Sequence, residues 1–477
     1  MENVIKFGTD GWRGIIARDF TFDNVRVCAQ GVADYLKKAG MTERGLIIGF
    51  DTRFASEDFA AACAEVTAAS GIKTYLCERA TPTPVVSYGV LVRKAAGAII
   101  ITASHNPGIW NGFKYKDQHG ASAPDEITGE IVKSIDQTLS KGKSPEQMPL
   151  KKAVEQGLVA QIDLAPVYLK QMKKLVDLDT IRKSGLNIII DSMYGAGMGY
   201  FKGLLQGGRA GVTEINGERN PLFPDMVRPE PIALNLKRLS ALVREQGASV
   251  GLATDGDADR VGVIDEKGNF ITPLQTFALL CLYLLETRGE RGPLVKTITS
   301  SSMLDRLGEL YNVPVFETTV GFKYVAPIMH AENALIGGEE SGGYGFRGHV
   351  AERDGILAGL YFLDFMLRTG KKPSELLAHL YSKVGPHYYQ RIDTEFPEKE
   401  RQAIIKRLQD NPPEVIEGVK VDKVDTADGF RYMLADNSWL LVRFSGTEPV
   451  LRIYAESSSD ARVKKLLEAG KKLAGIK

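Results

Sequence analysis

Ala248-Ser249-Val250-Gly251-Leu252-Ala253-Thr254-Asp255-Gly256-Asp257-Ala258-Asp259-Arg260-Val261-Gly262-Val263 sets a short apolar run directly before three carboxylates at alternate positions. An apolar run of this length that stops in small and polar residues predicts a buried strand with a loop at its C-terminal end. Asp255, Asp257 and Asp259 offer only oxygen ligands, which suits a hard divalent cation, and Gly256 and Ala258 keep the turn small enough for all three to converge. Arg260 adds a fixed positive fork suited to an anionic substrate. A solvated acidic turn and a calcium loop of the EF-hand kind compete with this reading. Glu266 does fall at the twelfth position of such a loop, but Arg260 stands at the sixth, where glycine is needed, and a strand leads in where a helix should.

The same pattern recurs along the chain, at Leu46 to Asp51, Ala98 to Ser104, Asn187 to Ser192, Leu294 to Ser301 and Ala334 to Gly338. Helical patterns lie between these runs: Phe22 to Ala39, Leu164 to Val176, Leu234 to Gln246 and Thr276 to Arg288. Strand and helix in alternation predict largely parallel sheets, with ligands collecting at the strand C-termini. Six strand-loop units in three pairs hint at one α/β plan used three times. From about Pro386 the character changes. Strands at Tyr388 to Thr394, Gly429 to Leu434, Ser438 to Phe444 and Val450 to Ser457, with helices at Glu398 to Leu408 and from about Ser459, predict a smaller α+β domain with an antiparallel sheet. Lysines at 464, 465, 471 and 472 decorate the closing helix, yet Val463, Leu466, Leu467 and Leu473 form an ordinary core-facing stripe.

A chain of 477 residues exceeds one ordinary core, so about three or four domains are expected. Lys plus Arg number 60 against 59 Asp plus Glu, a balance that creates no global field for nucleic acid or a membrane surface. Cys28, Cys63, Cys77 and Cys281 are scattered without zinc-like or disulfide-like spacing, which fits a reducing cytosol. Met1 to Lys6 lacks a secretory pattern, and the longest apolar stretch, Phe277 to Leu285, is too short to span a bilayer. A soluble, cytoplasmic protein is expected.

Thr102-Ala103-Ser104-His105-Asn106-Pro107 ends a predicted strand, which leaves the Ser104 hydroxyl exposed on a turn as a nucleophile would be. The Gly-x-Ser-x-Gly elbow of serine hydrolases is absent, and His105, as the next residue, is expected to point away from that hydroxyl. A structural turn bonded by its own side chains is the competing reading. Lys114 follows on the next strand, and Phe7-Gly8-Thr9-Asp10-Gly11-Trp12-Arg13-Gly14 is a flexible loop able to bring Arg13 to an anion. In Gly337-Gly338-Glu339-Glu340-Ser341-Gly342-Gly343, Glu339 and Ser341 can bond sugar hydroxyls, Glu339 and Glu340 can form a second metal pair, or the turn is simply solvated. Arg443-Phe444-Ser445-Gly446-Thr447-Glu448-Pro449 has the parts of a phosphate nest. Ser445 and Glu448 mimic a helix capping box, but the strand-like Val450 to Tyr454 leaves no helix to cap.

Together, the segments at 102–107, 255–260, 338–343 and 443–449 resemble, in order, the motifs of the α-D-phosphohexomutase superfamily, the phosphoglucomutases and phosphomannomutases. The resemblance implies three similar α/β domains with mainly parallel mixed sheets, plus a smaller C-terminal α+β domain, around a central cleft. The expected divisions are 1–153, 154–269, 270–384 and 385–477. It further implies a phosphoserine at Ser104 and one Mg²⁺ held by Asp255, Asp257, Asp259 and the Ser104 phosphate. Arg260 would help hold the phosphoserine region, and Arg13, His105 and Lys114 match positions for proton transfer or charge stabilisation. Glu339 and Ser341 match sugar contacts, and Arg443, Ser445, Gly446 and Thr447 match a phosphate clamp. Gly321, Lys323 and Arg353 resemble anion or sugar contacts of the phosphoglucomutase branch. The implied reaction interconverts hexose 1- and 6-phosphates, with hexose 1,6-bisphosphate as intermediate and activator. Phosphoglucosamine mutase and a Mg²⁺-dependent sugar phosphatase are the alternatives. The implied partner is a small phosphosugar, with neither nucleic acid nor membrane, for a monomer or homodimer.

Overall fold

The run from 248 onward forms a strand, Val250–Thr254, with every residue buried, and the three carboxylates begin where it ends. The computed structural model describes residues 4–8, 10–445 and 450–476. Its first sheet contains β1 (Trp12–Ile15), β2 (Leu46–Phe50), β3 (Thr74–Cys77), β4 (Ala98–Ile101), β5 (Trp110–Lys116) and β6 (Val159–Ile162), ordered β1-β5-β4-β2-β3-β6. The second contains β7 (Asn187–Asp191), β8 (Gly211–Ile215), β9 (Val250–Thr254), β10 (Val261–Ile264) and β11 (Phe270–Ile271), ordered β11-β10-β9-β7-β8. The third contains β12 (Leu294–Thr297), β13 (Val315–Thr318), β14 (Ile336–Gly338) and β15 (Tyr344–Phe346), ordered β13-β12-β14-β15.

One plan underlies all three. Each holds a parallel trio, β3-β2-β4, β8-β7-β9 and β13-β12-β14, and a fourth strand that returns antiparallel to the third. The turn from third to fourth strand is therefore the same place three times over, and it carries Ser104, Asp255 to Arg260, and Glu339 to Gly343 in turn. The repetition hinted at by the sequence is thus present in the topology.

Helices cover the sheets as the apolar spacing requires. In Phe22–Lys38, Thr21 caps the first turn through Asn24 N–H, and Val25, Cys28, Ala29, Val32 and Leu36 form the buried stripe. Each of Val25, Val32 and Leu36 contributes about 1.5–3 kcal/mol on burial. All four cysteines are buried and unpaired, and no helix among the described residues is long and apolar enough to cross a membrane.

The fourth sheet, β16 (Tyr388–Glu395), β17 (Val415–Ile416), β18 (Val419–Asp425), β19 (Phe430–Leu434), β20 (Trp439–Phe444) and β21 (Val450–Ser457), is antiparallel throughout, ordered β16-β21-β20-β19-β18-β17. One face packs Leu440, Val442 and Ile453 against Val463 and Leu466 of the closing helix, Asp460–Ala474. The other sets Trp439, Leu441 and Tyr454 against Ile298 and Val320 of the third unit.

Three expectations need correction. Strand β6 pairs in parallel with β3, so the first unit runs past the expected division at 153. The helix expected from Leu234 starts at Lys237, and residues 232–234 instead form part of a cleft wall. The helix expected from Thr276 starts at Pro273, because Thr272 and Gln275 make a reciprocal capping box. Strands β17 and β18 were not foreseen; most of β18 is polar and it has little buried face to leave a pattern.

Candidate active site

Ser104 sits just past β4 with φ +50°, a left-handed conformation that few non-glycine residues adopt. This twist turns its hydroxyl across to the second unit, where Oγ donates to Asp255 Oδ2 at 2.9 Å. It also brings Oγ to 3.3 Å from His105 Nδ1, contrary to the expectation that adjacent residues would diverge. The two turns meet closely, since a Cβ on Gly256 would stand 2.4 Å from the Ser104 carbonyl oxygen.

The aspartate turn is held by its own first carboxylate: Asp255 Oδ1 accepts the N–H groups of Asp259 and Arg260 at 3.0 and 3.2 Å. Asp257 accepts from Thr83 Oγ1 at 2.7 Å and from Lys114 Nζ at 3.0 Å, while Asp259 faces Arg353 at 2.7 Å. All three are fully buried, and one oxygen from each lies within 4.8 Å of the others. Asp257 Oδ1 and Asp259 Oδ1 are buried without a hydrogen-bond donor, a costly state that a bound cation would relieve. Three converging carboxylates with open oxygens fit a hard divalent ion. Burial, then repulsion from Asp259 and Asp257, pushes the Asp255 carboxyl well above its ordinary range. Burial also raises Asp259 against the pull of Arg353. For Asp257 burial is the largest single influence, but Lys114, Thr83 and Arg353 together outweigh it and hold the carboxyl below the ordinary range.

Above these turns lies a cleft of about 830 Å³ with walls from all four units. Arg13, His105, Arg260, Gly321, Glu339, Ser341 and Arg353 line it. Ser104, Lys114 and the three aspartates are buried and do not line it, so the Ser104 hydroxyl is not exposed as expected but sits behind His105 and Arg260. Arg13 donates to Asn106 at 2.9 Å and Arg260 pairs with Glu230 at 3.1 Å. Glu339 pairs with Arg353 at 3.1 Å, and the Ser341 Oγ has no hydrogen-bond partner. Desolvation, reinforced by Arg260, Arg13, Arg228 and Lys114, holds the His105 imidazole well below its ordinary value, so it stays neutral near pH 7.

Two expected substrate contacts are elsewhere. Lys323 reaches out of the cleft to Asp125 at 2.5 Å, tying the third unit to the first. Arg443 is bound to Asp428 at 2.9 Å and is not among the lining residues. The Ser445 N–H donates to Val450 O at 2.8 Å, closing the β20–β21 hairpin. Gly446 and Thr447 lie outside the described residues.

Other residues at the site were not singled out from sequence. Asp10 binds Lys114 at 2.7 Å, Lys116 at 3.3 Å and Arg353 at 3.2 Å, and its place three residues before Arg13 was the available signal. Thr83, Glu230, Arg391 and Arg452 carry no motif. Arg391 and Arg452 reach the fourth wall only through the register of β16 with β21.

Family profiles match in chain order: phosphoglucomutase/phosphomannomutase alpha/beta/alpha domain I at residues 4–141, domain II at 166–268, domain III at 272–384 and the C-terminal domain at 395–471. A phosphoglucomutase/phosphomannomutase of Thermococcus kodakarensis is 33% identical over 98% of both chains. A phosphoglucosamine mutase of Carboxydothermus hydrogenoformans is 30% identical over 96% of each. The crystal structure of a Thermus thermophilus protein assigned as a phosphomannomutase superposes with a TM-score of 0.84 at 35% identity, covering 100% of both chains. With three repeated sheets and a fourth antiparallel one around a single cleft, and with these matches from end to end, the chain belongs to the phosphoglucomutase/phosphomannomutase family of phosphohexomutases, enzymes that isomerise by phosphoryl transfer.

Proposed function

We propose that this chain is a cytoplasmic mutase interconverting the 1- and 6-phosphates of glucose, mannose or both, through a phosphoserine at Ser104 and a hexose 1,6-bisphosphate. The observation that carries the reading is the Ser104 hydroxyl on Asp255, 2.9 Å away, with His105 between it and a cleft that presents Arg13, Arg260, Arg353, Arg391 and Arg452. Asp255, Asp257 and Asp259 would hold one Mg²⁺ together with an oxygen of the Ser104 phosphate. When bound, that ion offsets negative charge on the phosphoryl oxygens.

The chain's own residues do the rest. Phosphoryl transfer needs positioning and charge neutralisation more than covalent assistance. The free hexose hydroxyl attacks phosphorus, the bond from phosphorus to Ser104 Oγ breaks, and the hydroxyl proton passes to that oxygen by way of His105. Arg13, Arg260 and Lys114 neutralise charge around the transfer, and Glu339 and Ser341 orient the sugar hydroxyls. The distal phosphate rests on the fourth wall, where Arg391 and Arg452 stand, and Arg443, Ser445, Gly446 and Thr447 of the neighbouring motif would add to that clamp. The bisphosphate then turns end for end, and the second transfer restores the phosphoserine while releasing the isomer. The bisphosphate would also serve as activator by phosphorylating fresh enzyme.

The 30% identity to a phosphoglucosamine mutase supports a second reading with glucosamine 1-phosphate as substrate. Coupled assays with glucose, mannose and glucosamine 1-phosphates, each primed with its bisphosphate, separate these readings. Release of inorganic phosphate without isomer would indicate a phosphatase instead. Ser104→Ala is expected to abolish isomerisation in every assay; normal turnover by that variant would remove the phosphoserine from the mechanism.

A further inference from the structure

Five hydrogen bonds converge on one buried guanidinium beside the nucleophile turn. Arg53, just past β2, is 0% exposed. Its Nε donates to Asp51 Oδ2 at 3.0 Å. Nη1 donates to the carbonyls of Pro107 and Trp110 at 2.9 and 3.0 Å, and Nη2 to those of Ser104 and Asn106 at 2.7 and 2.6 Å. A guanidinium has five N–H groups, so every donor is used, four of them on the backbone of the Ser104 turn. Asp51 holds the same turn from its other side. Its Oδ2 accepts from Thr102 Oγ1 at 2.6 Å, and that oxygen accepts the Ser104 N–H at 2.9 Å. The two peptide groups flanking Ser104 are thus both anchored to one ion pair.

This frame explains how Ser104 persists at φ +50°, because a sparsely populated conformation survives only where its surroundings over-determine it. The second unit closes the frame: the Phe223 ring lies 5.1 Å from the guanidinium, and Arg219 donates to the carbonyls of Thr52 and Arg53 at 3.1 and 3.2 Å. We infer that Arg53, with Asp51 and Thr102, is a positioning residue for phosphoryl transfer, fixing the Ser104 oxygen against the aspartate turn without touching substrate. The inference rests on the reading of Ser104 as the phosphoryl carrier. Lysine cannot replace Arg53, since a single ammonium lacks the planar fork that spans four carbonyls.

The test measures kcat and KM for Arg53→Lys and Thr102→Val, with Thr102→Ser as the conservative variant and Ser104→Ala alongside. The expected result is a fall in kcat of about a hundredfold at unchanged KM in Arg53→Lys and Thr102→Val, with Thr102→Ser near the unsubstituted enzyme. If Arg53→Lys does not fold, Thr102→Val decides, because it is isosteric and removes only the hydroxyl link. Unchanged kcat in Thr102→Val or in folded Arg53→Lys would overturn the inference, as would a Thr102→Ser variant no better than valine. An inactive Ser104→Ala beside a normal Thr102→Val refutes the frame alone, whereas an active Ser104→Ala refutes the phosphoserine.

Discussion

The turn after β4 and the turn after β9 occupy the same place in two copies of one sheet plan, yet they are stiffened by opposite means. The Ser104 turn points its carbonyls inward and is pinned by a cation, Arg53. The aspartate turn points N–H groups inward and is pinned by an acceptor, the Asp255 carboxyl. Each carries one non-glycine residue in left-handed backbone, Ser104 at +50° and Ala258 at +58°. A shared strand order therefore fixes where a turn stands, while its local charges decide which chemistry it presents. The third copy, at Glu339 to Gly343, is left more open to the cleft and offers a carboxylate and an unpartnered hydroxyl.

The comparison can be broken at the aspartate turn with the largest effect. Asp255→Ala is expected to lower kcat by at least about a thousandfold and to abolish divalent-cation binding measured by titration calorimetry; retained binding would mean the ion sits elsewhere. Next comes the contact between the turns. Gly256→Ala pushes a methyl group toward the Ser104 carbonyl, so kcat should fall by about a hundredfold and stability by about 1–3 kcal/mol, read by kinetics and chemical denaturation. A full-activity alanine variant would show that the turns do not need to meet so closely.

Smaller effects sharpen the contrast with the third copy. Ser341→Ala removes a hydroxyl with no protein partner, so stability should hold while KM rises by the worth of one hydrogen bond, about 0.5–1.5 kcal/mol. A stability loss with unchanged KM would make Ser341 structural. Lys323→Ala should do least. It breaks a tie to a half-exposed aspartate worth about 0–1 kcal/mol, leaving kcat and KM unchanged; a raised KM would return Lys323 to the substrate.

The sequence made the floor of this site legible because its residues cluster in short motifs at strand ends, where an apolar run stops against small and charged residues. Ser104, Asp255, Asp257 and Asp259 could be found that way. Strand β18 and the pairing of β6 with β3 could not, since a strand with no fully buried residue leaves little periodic signal and register is a tertiary property. Arg391 and Arg452 escaped for the same reason. His105 was misjudged because Ser104 adopts left-handed backbone and its turn is bonded to Arg53, 51 residues earlier in the chain, which no local pattern reveals. Lys323 and Arg443 lie in motif-like segments, but Asp125 and Asp428 claim their charges, and both partners are distant in sequence.

In the fourth sheet, the first strand and the last lie side by side: β16, residues 388–395, pairs along its whole length with β21, residues 450–457. Arg391 stands on one of these strands and Arg452 on the other. Deleting either strand therefore removes one of the two arginines and strips the other strand of a partner along its whole length, so the cleft loses its fourth wall in one step.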